Sequence, residues 1–285
     1  MIKFFRRIRQ RLLIENSFSK YLLYALGEII LVVIGILIAL QINNRNESRK
    51  QKGKNLVYLN QLCQEVDYNV LRSQFVLDSD SMKSIGNITV KETLDIAFKL
   101  DSFIHAGITA DDIGMVWYAC NLHYNSPRIQ RTVYENGINT GALFDMDKPE
   151  LLKEIQSYYA LLIDDLEWMK ASSSALKFDS GHLELLAHDF SHAMTDTDLG
   201  FMRQLRPLCT DDWTKCFAME DRQAIIKAHP WIIDADSQAY KNLILFSRRN
   251  KSHALCMDFA LTRINRESQA LAASIRNHIE RLKEE

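Results

Sequence analysis

The feature that most constrains this chain is the apolar run from Tyr21 to Ile42. Apart from Gly35, every residue from Ile29 to Leu40 is aliphatic. A helix over residues 21–42 would be about 33 Å long, which matches the roughly 30 Å hydrocarbon core of a bilayer. The run includes Glu28, whose insertion costs about 3 kcal/mol, but each Leu, Ile or Val returns about 0.3 to 0.6 kcal/mol. The sequence therefore predicts a single transmembrane helix over residues 21–42.

A basic arm, MIKFFRRIRQRLL, occupies residues 1–13 before this run. Its apolar and cationic side chains fall on two sides of a helix, so it is either an amphipathic segment on anionic headgroups or a simple topogenic arm. No small-residue cleavage site follows the run, which argues against a cleaved signal peptide. Six Lys and Arg residues precede the span and five follow it by residue 54. The positive-inside rule then favours an inside amino terminus and an outside carboxyl-terminal domain.

The composition outside the span is that of a folded, water-exposed domain. The chain is 25% charged with a formal net charge of -1, so it lacks the basic excess of a nucleic-acid-binding protein. Pro occurs 4 times and Gly 10 times, fewer than the many turns of an all-β fold require. The five cysteines are scattered without a CxxC pair, which signals neither a zinc site nor a disulfide framework. We therefore expect buried, inert thiols, no bound cofactor and no nucleic-acid partner.

A seam at steps of three and four follows the membrane span and indicates a helix. Its members are Leu56, Leu59, Cys63, Val66, Val70 and Leu77, with Ser73 interrupting. Such a seam either packs against the protein's own domain or forms a self-associating, coiled-coil stalk.

Helical signals continue to the end of the chain. Thr109 and Asp112 have the spacing of a capping box, and Ser126-Pro127 reads as a cap followed by proline at the first helical position. An apolar stripe predicts a last helix over roughly 254–283. The predicted fold is all-α, with a basic arm at 1–20, a transmembrane helix at 21–42, a juxtamembrane helix at 43–80 and a helical soluble domain at 81–285.

Two stretches resemble a known family. LGEIILVVIGILIALQINNRNE at 26–47 is similar to the opening of uncharacterised bacterial membrane proteins, found mainly in Bacteroidetes and catalogued as a domain of unknown function. Residues 131–159 resemble a second pattern, with Tyr134, Gly141, Leu143-Phe144 and Tyr158-Tyr159. Arg45 stands where the family usually has Trp. The resemblance implies a single-pass protein of the bacterial inner membrane with a mostly helical soluble part, and it implies no activity.

The sharpest candidate for chemistry is the pair His188 and His192, four residues apart on a predicted helix. This spacing can hold a divalent metal, and Glu184 one turn earlier could supply a third ligand. The pattern imitates the HExxH motif of metalloproteases, but Asp189 is one methylene shorter than the Glu that would hold the water. Any helix-rich chain with eight histidines produces such a pair easily by chance.

Glu28 is the second candidate, because an ionisable residue at membrane depth is by default a functional-site hypothesis. A protonated or snorkelling carboxyl group is the plainer explanation. Gly35 and Ala39 have the small-residue spacing that lets two helices approach closely, and Glu28 lies seven residues before Gly35. We expect these three residues to form a membrane-helix contact with a second copy or a partner membrane protein.

Two functions from different classes follow. The first is a membrane-anchored helical protein that acts by association, as a scaffold, sensor or accessory subunit. The second is a membrane-tethered, metal-dependent enzyme that uses His188 and His192. The sequence favours the first, because it carries no phosphate-binding loop, nucleophile elbow or dinucleotide fingerprint.

Overall fold

The computed structural model describes residues 18–79, 88–120, 127–146, 148–176 and 219–284. The fold is all-α, and these ranges contain no β-strand. The α-helices are α1 (Phe18–Leu77), α2 (Val90–Ala106), α3 (Ile113–Cys120), α4 (Thr132–Thr140), α5 (Pro149–Leu176), α6 (Met219–Ala228) and α7 (Gln238–Glu284). Short 3-10 turns lie at Ala110–Asp112 and Pro230–Ile232. The predicted fold class is thus confirmed.

The chain divides into two compact units, Met1–Tyr58 and Leu59–Glu285. The first unit is built around the apolar part of α1, where no described residue from 22 to 50 is buried. Among the described residues, one helix is long and apolar enough to cross a membrane, with a mean hydropathy of 2.6 in its most apolar window. The domain boundaries at 20, 42 and 80 stay predictions.

The second unit holds the hydrophobic core. Its long helix α7 packs against both α2 and α5. One core cluster joins α2, α3 and the start of α7 through side chains that include Leu100, Ile113 and Leu243. Other fully buried residues of the core lie on α5 and α7, among them Ile155, Leu162, Leu261 and Ile264. Burial of this kind contributes about 1.5 to 3 kcal/mol for each large aliphatic side chain.

The apolar seam lies inside the second unit. Leu59, Cys63, Val66 and Leu77 are all buried there, so this part of the seam packs against the protein's own domain. The thiols of Cys63 and Cys256 are free and buried, and burial raises the pKa of both above the usual value. Cys120, Cys209 and Cys216 lie where the structure describes no side chain.

Two predicted helix starts had different outcomes. The predicted capping box at Thr109 is confirmed: its backbone N–H donates to Asp112 Oδ2 at 2.8 Å. This capping box begins the 3-10 turn before α3. The start at Pro127 is wrong, because residues 127–131 are not helical and α4 begins at Thr132.

The last helix is longer than its apolar stripe predicts, since α7 begins at Gln238 rather than near residue 254. The added turns bury Ser247, Asn250 and His253 in place of aliphatic side chains. These polar residues interrupt the periodicity from which the helix was predicted.

Candidate functional site

The predicted membrane-contact residues lie along one line of α1. Positions 28, 35 and 39 are separated by seven and four residues, which places them within about 40° of each other around a helix. All three are exposed. A Cβ atom added at Gly35 would meet nothing within 4 Å, so the backbone is open to close approach there. We call Glu28, Gly35 and Ala39 the small-residue strip.

The predicted metal ligands Glu184, His188 and His192 lie outside the described residues. Within the parts that the structure describes, no group of three or more His, Cys, Asp or Glu side chains is placed to hold a metal ion. The geometry of the metal hypothesis therefore stays untested.

One buried polar network in the described part of the second unit is centred on Glu65 of α1. Glu65 is 4% exposed and accepts hydrogen bonds from the backbone N–H groups of Val133 and Tyr134 at 2.6 and 3.3 Å. The hydroxyl of Tyr159 on α5 donates to the same carboxylate at 2.6 Å. Glu65 thus occupies the amino-terminal end of α4, where helix N–H groups lack partners within the helix and favour a negative charge.

The next turns of α1 extend the network. The Asn69 amide donates to the carbonyl of Gln130 at 2.8 Å, and its oxygen accepts from the Gln130 N–H at 2.7 Å. Arg72 donates to the carbonyl of Pro127 at 2.9 Å. These bonds fix residues 127–131 in a non-helical conformation, which explains why Pro127 does not start α4.

Two tyrosines at the end of the second family-like pattern complete the network. Tyr159 stacks on Tyr134 at a centroid distance of 3.9 Å. Tyr158 shares a 2.8 Å hydrogen bond with Ser268 of α7, and burial raises its pKa. Gly141 ends α4 with φ of 79°, a left-handed conformation that favours glycine. Leu143 beyond it is fully buried, while Phe144 is exposed.

The network is built to hold helices together. Glu65, Asn69 and both tyrosine hydroxyls each contact at least one protein group, and buried polar groups need such partners to avoid a large desolvation cost. An open groove of about 610 Å³ between α5 and α7 reaches Tyr158. Its other lining residues include Glu150, Lys153 and Glu154, and they do not form a recognisable catalytic constellation.

Sequence reasoning did not identify Glu65 and Asn69 as part of a site. The available signal was the polar interruption of the seam at Ser73, whose hydroxyl donates to the carbonyl of Asn69 at 2.7 Å. Asn265 of α7 also donates to Ser73 at 2.9 Å. A serine between apolar seam positions therefore marked the polar side of α1.

His253 of α7 is a buried titratable group with a strongly shifted pKa. It is 2% exposed, its Nδ1 lies 2.8 Å from Ser172 Oγ, and burial lowers its pKa from 6.5 to about 4. Above about pH 7, His253 is mainly neutral in both the folded and the unfolded chain. As the pH falls towards 4, the unfolded chain takes up a proton that the folded chain excludes, so stability is lost.

We expect this histidine to cost about 3 kcal/mol of unfolding free energy between pH 7 and pH 4. Urea unfolding at both pH values measures the loss for the wild type and for His253→Gln, which does not titrate in this range. The wild type should lose about 3 kcal/mol more than the variant. Equal losses would show that His253 is not the group that resists protonation.

Comparison with known proteins gave one family match. Residues 28–106 match a family described as "Family of unknown function (DUF6090)". The matched region contains the small-residue strip, Glu65 and Asn69, and ends with α2; it excludes residues 131–159. No curated protein matches the chain, and no solved structure does. Over residues 28–106, then, the chain is similar to an uncharacterised domain family to which no activity is assigned.

Proposed function

We propose that this protein is a single-pass, membrane-anchored helical protein that acts by association, as a scaffold, sensor or accessory subunit. One observation carries the proposal: the large aliphatic side chains that the structure describes between Leu22 and Ile42 are 47 to 73% exposed on the first unit. Leaving a contiguous surface of this kind in water is costly, because each such side chain gains about 1.5 to 3 kcal/mol on burial. A bilayer covers it on all sides.

The small-residue strip supports association within the membrane. Lipid chains are as apolar as leucine, so helices attract each other mainly by close packing and by polar contacts. The open backbone at Gly35 permits close packing, and Glu28 supplies a group for a polar contact. A carboxyl group on the same strip would be shielded from acyl chains by the neighbouring helix.

Within this proposal the chain lies in the bacterial inner membrane, a localisation that its resemblance to bacterial membrane proteins supports. The cation count gives an inside amino terminus and an outside carboxyl-terminal domain. An impermeant thiol reagent, applied to intact cells with a cysteine engineered at the exposed Ala273, should label the chain before lysis. Labelling of that cysteine only after lysis would reverse the orientation.

The metal-dependent enzyme remains the alternative, and none of the described residues favours it. Its test is the metal content of the purified full chain. Zinc at one ion per chain that is lost in His188→Ala would establish a metal site and move the function towards catalysis.

Association is tested by co-purifying two differently tagged copies, and any partner, from membranes. Gly35→Ile should reduce recovery of the second chain strongly, because the added side chain separates the helices. Glu28→Gln should reduce it less, since Gln still forms hydrogen bonds and one polar contact in a membrane is worth on the order of 1 kcal/mol.

Gly27→Ile is the matched control. Gly27 lies in the same helix with equally open surroundings, but about 100° away from Glu28 around the axis. Association that persists in Gly27→Ile and fails in Gly35→Ile supports the strip. Recovery that is the same in all four chains would rule the strip out as the contact.

A further inference from the structure

The part of α1 in the second unit carries an exposed strip in addition to its buried seam. The strip consists of Gln61, Gln64, Tyr68, Leu71 and Phe75, and we call it the outer strip. Leu71 is 71% exposed and Tyr68 is 36% exposed, while Phe75 is half-buried. Helix geometry places the outer strip opposite the buried seam residues Leu59 and Val66.

The spacing of the outer strip is that of a coiled-coil seam. Its residues are separated by three, four, three and four positions, the alternation of core positions in a heptad. Gln61, Tyr68 and Phe75 take one core position of successive heptads, and Gln64 and Leu71 take the other. A seam with this alternation is complementary to a copy of itself, because each side chain fits between residues of an identical facing helix.

Charges beside the outer strip favour a parallel partner. Asp67 and Arg72 flank it on opposite sides, five residues apart. In a parallel, in-register pair of helices, a residue that directly precedes a core position, such as Asp67, faces a residue of the other helix that lies five positions later in the sequence. That later residue directly follows the next core position, as Arg72 does. Each Asp67 would then face Arg72 of the second copy, twice in a symmetric dimer. Asp67 also pairs with Arg276 of its own chain, and its side chain remains 38% exposed.

We propose that the outer strip is the docking surface for a second copy of this chain, in parallel and in register. This inference rests on the proposed function in one respect: copies anchored in one membrane share an orientation, which makes the parallel arrangement available. Polar side chains at core positions lower the stability of a coiled coil, and two of the five residues here are glutamines. The outer strip therefore adds to an association that the membrane anchor concentrates, rather than holding two chains together alone.

The test uses the full chain in its membrane, with a photocrosslinking phenylalanine analogue at position 71. Two differently tagged copies are expressed together, so that a crosslinked product carrying both tags identifies a dimer of this chain. We expect that product from position 71. The same analogue at Ala273, which is exposed on α7, should give none. A product with a different protein, or no product at position 71, would overturn the proposal.

A pair of substitutions tests the strip's role. Leu71→Glu places two carboxylates at the centre of the contact and should reduce the crosslinked product from position 68 at least fivefold. Leu255→Glu makes the same substitution at an exposed position of α7, outside the strip and its flanking positions, and should leave the yield unchanged. Equal yields in the two variants would contradict the proposal.

The outcomes separate this inference from the proposed function. If tagged copies co-purify and Gly35→Ile disrupts them, but position 71 gives no dimer product, the outer strip is not the contact and membrane association stands. If the chains associate in neither assay, both proposals fail.

Discussion

Replacing Glu65 by alanine should lower the free energy of unfolding of the helical unit by about 3 to 5 kcal/mol. The carboxylate accepts three hydrogen bonds, from the backbone N–H groups of Val133 and Tyr134 and from the Tyr159 hydroxyl. Hydrogen bonds to a charged group are worth about 1.5 to 3 kcal/mol each, and the three donors would be left without this acceptor. Chemical denaturation of the full chain in detergent, followed by circular dichroism, measures the change.

Two further variants divide this loss among its causes. Tyr159→Phe removes one donor and keeps the ring stacked on Tyr134, so it should cost only about 1 to 2 kcal/mol. Glu154→Ala removes an exposed carboxylate from α5 and should change stability by less than about 0.5 kcal/mol. If Glu65→Ala were no more damaging than Glu154→Ala, the buried carboxylate would not be what joins α1 to α4.

The parts of the fold that the sequence predicted are those fixed by local periodicity. The seam through Leu59, Cys63 and Val66 identified both the helix and the side of it that is buried. The choice between a seam used within the domain and one used between copies could not be made from spacing, because both need the same alternation. The structure shows that the buried seam is used within the domain. The outer strip, which has the same alternation, lies on the surface.

The polar network could not be predicted, since its partners are distant in sequence. Glu65 accepts hydrogen bonds from Val133 and Tyr134, which lie 68 and 69 positions further along the chain. Asn265 donates to the carbonyl of Val70, which lies 195 positions before it. A single sequence shows neither pairing. The wrong helix start at Pro127 has the same origin: its carbonyl is bonded to Arg72 of α1, which a local capping rule does not consider.

The two candidate sites differ in how far helical spacing alone determines their geometry. The small-residue strip depends only on helical spacing, and α1 is helical throughout that stretch, so its geometry follows directly from the sequence. A metal site at His188 and His192 would also need ligands from other elements or a cavity around the ion. Spacing within one helix does not supply either requirement.

Substituting aspartate for both Leu31 and Ile34 should prevent insertion of the chain into the membrane. Each change adds about 3 kcal/mol and removes a contribution of about 0.5 kcal/mol, for a total near 7 kcal/mol. Insertion of the Leu, Ile and Val residues of the span is favourable by roughly 4 to 8 kcal/mol, and Glu28 already offsets about 3 kcal/mol of this. The doubly substituted helix is therefore expected to favour the aqueous side.

Density-gradient flotation measures this change, because inserted chains rise with the vesicles and aggregates do not. The matched control is Asn43→Asp with Asn46→Asp, which adds the same two charges to α1 beyond the span, where both side chains are exposed. Acidic residues there have little influence on insertion, so the control should float like the wild type. Flotation of the Leu31→Asp, Ile34→Asp chain at the wild-type level would mean that this helix is not what anchors the protein, and that its exposed aliphatic surface is covered by another protein instead.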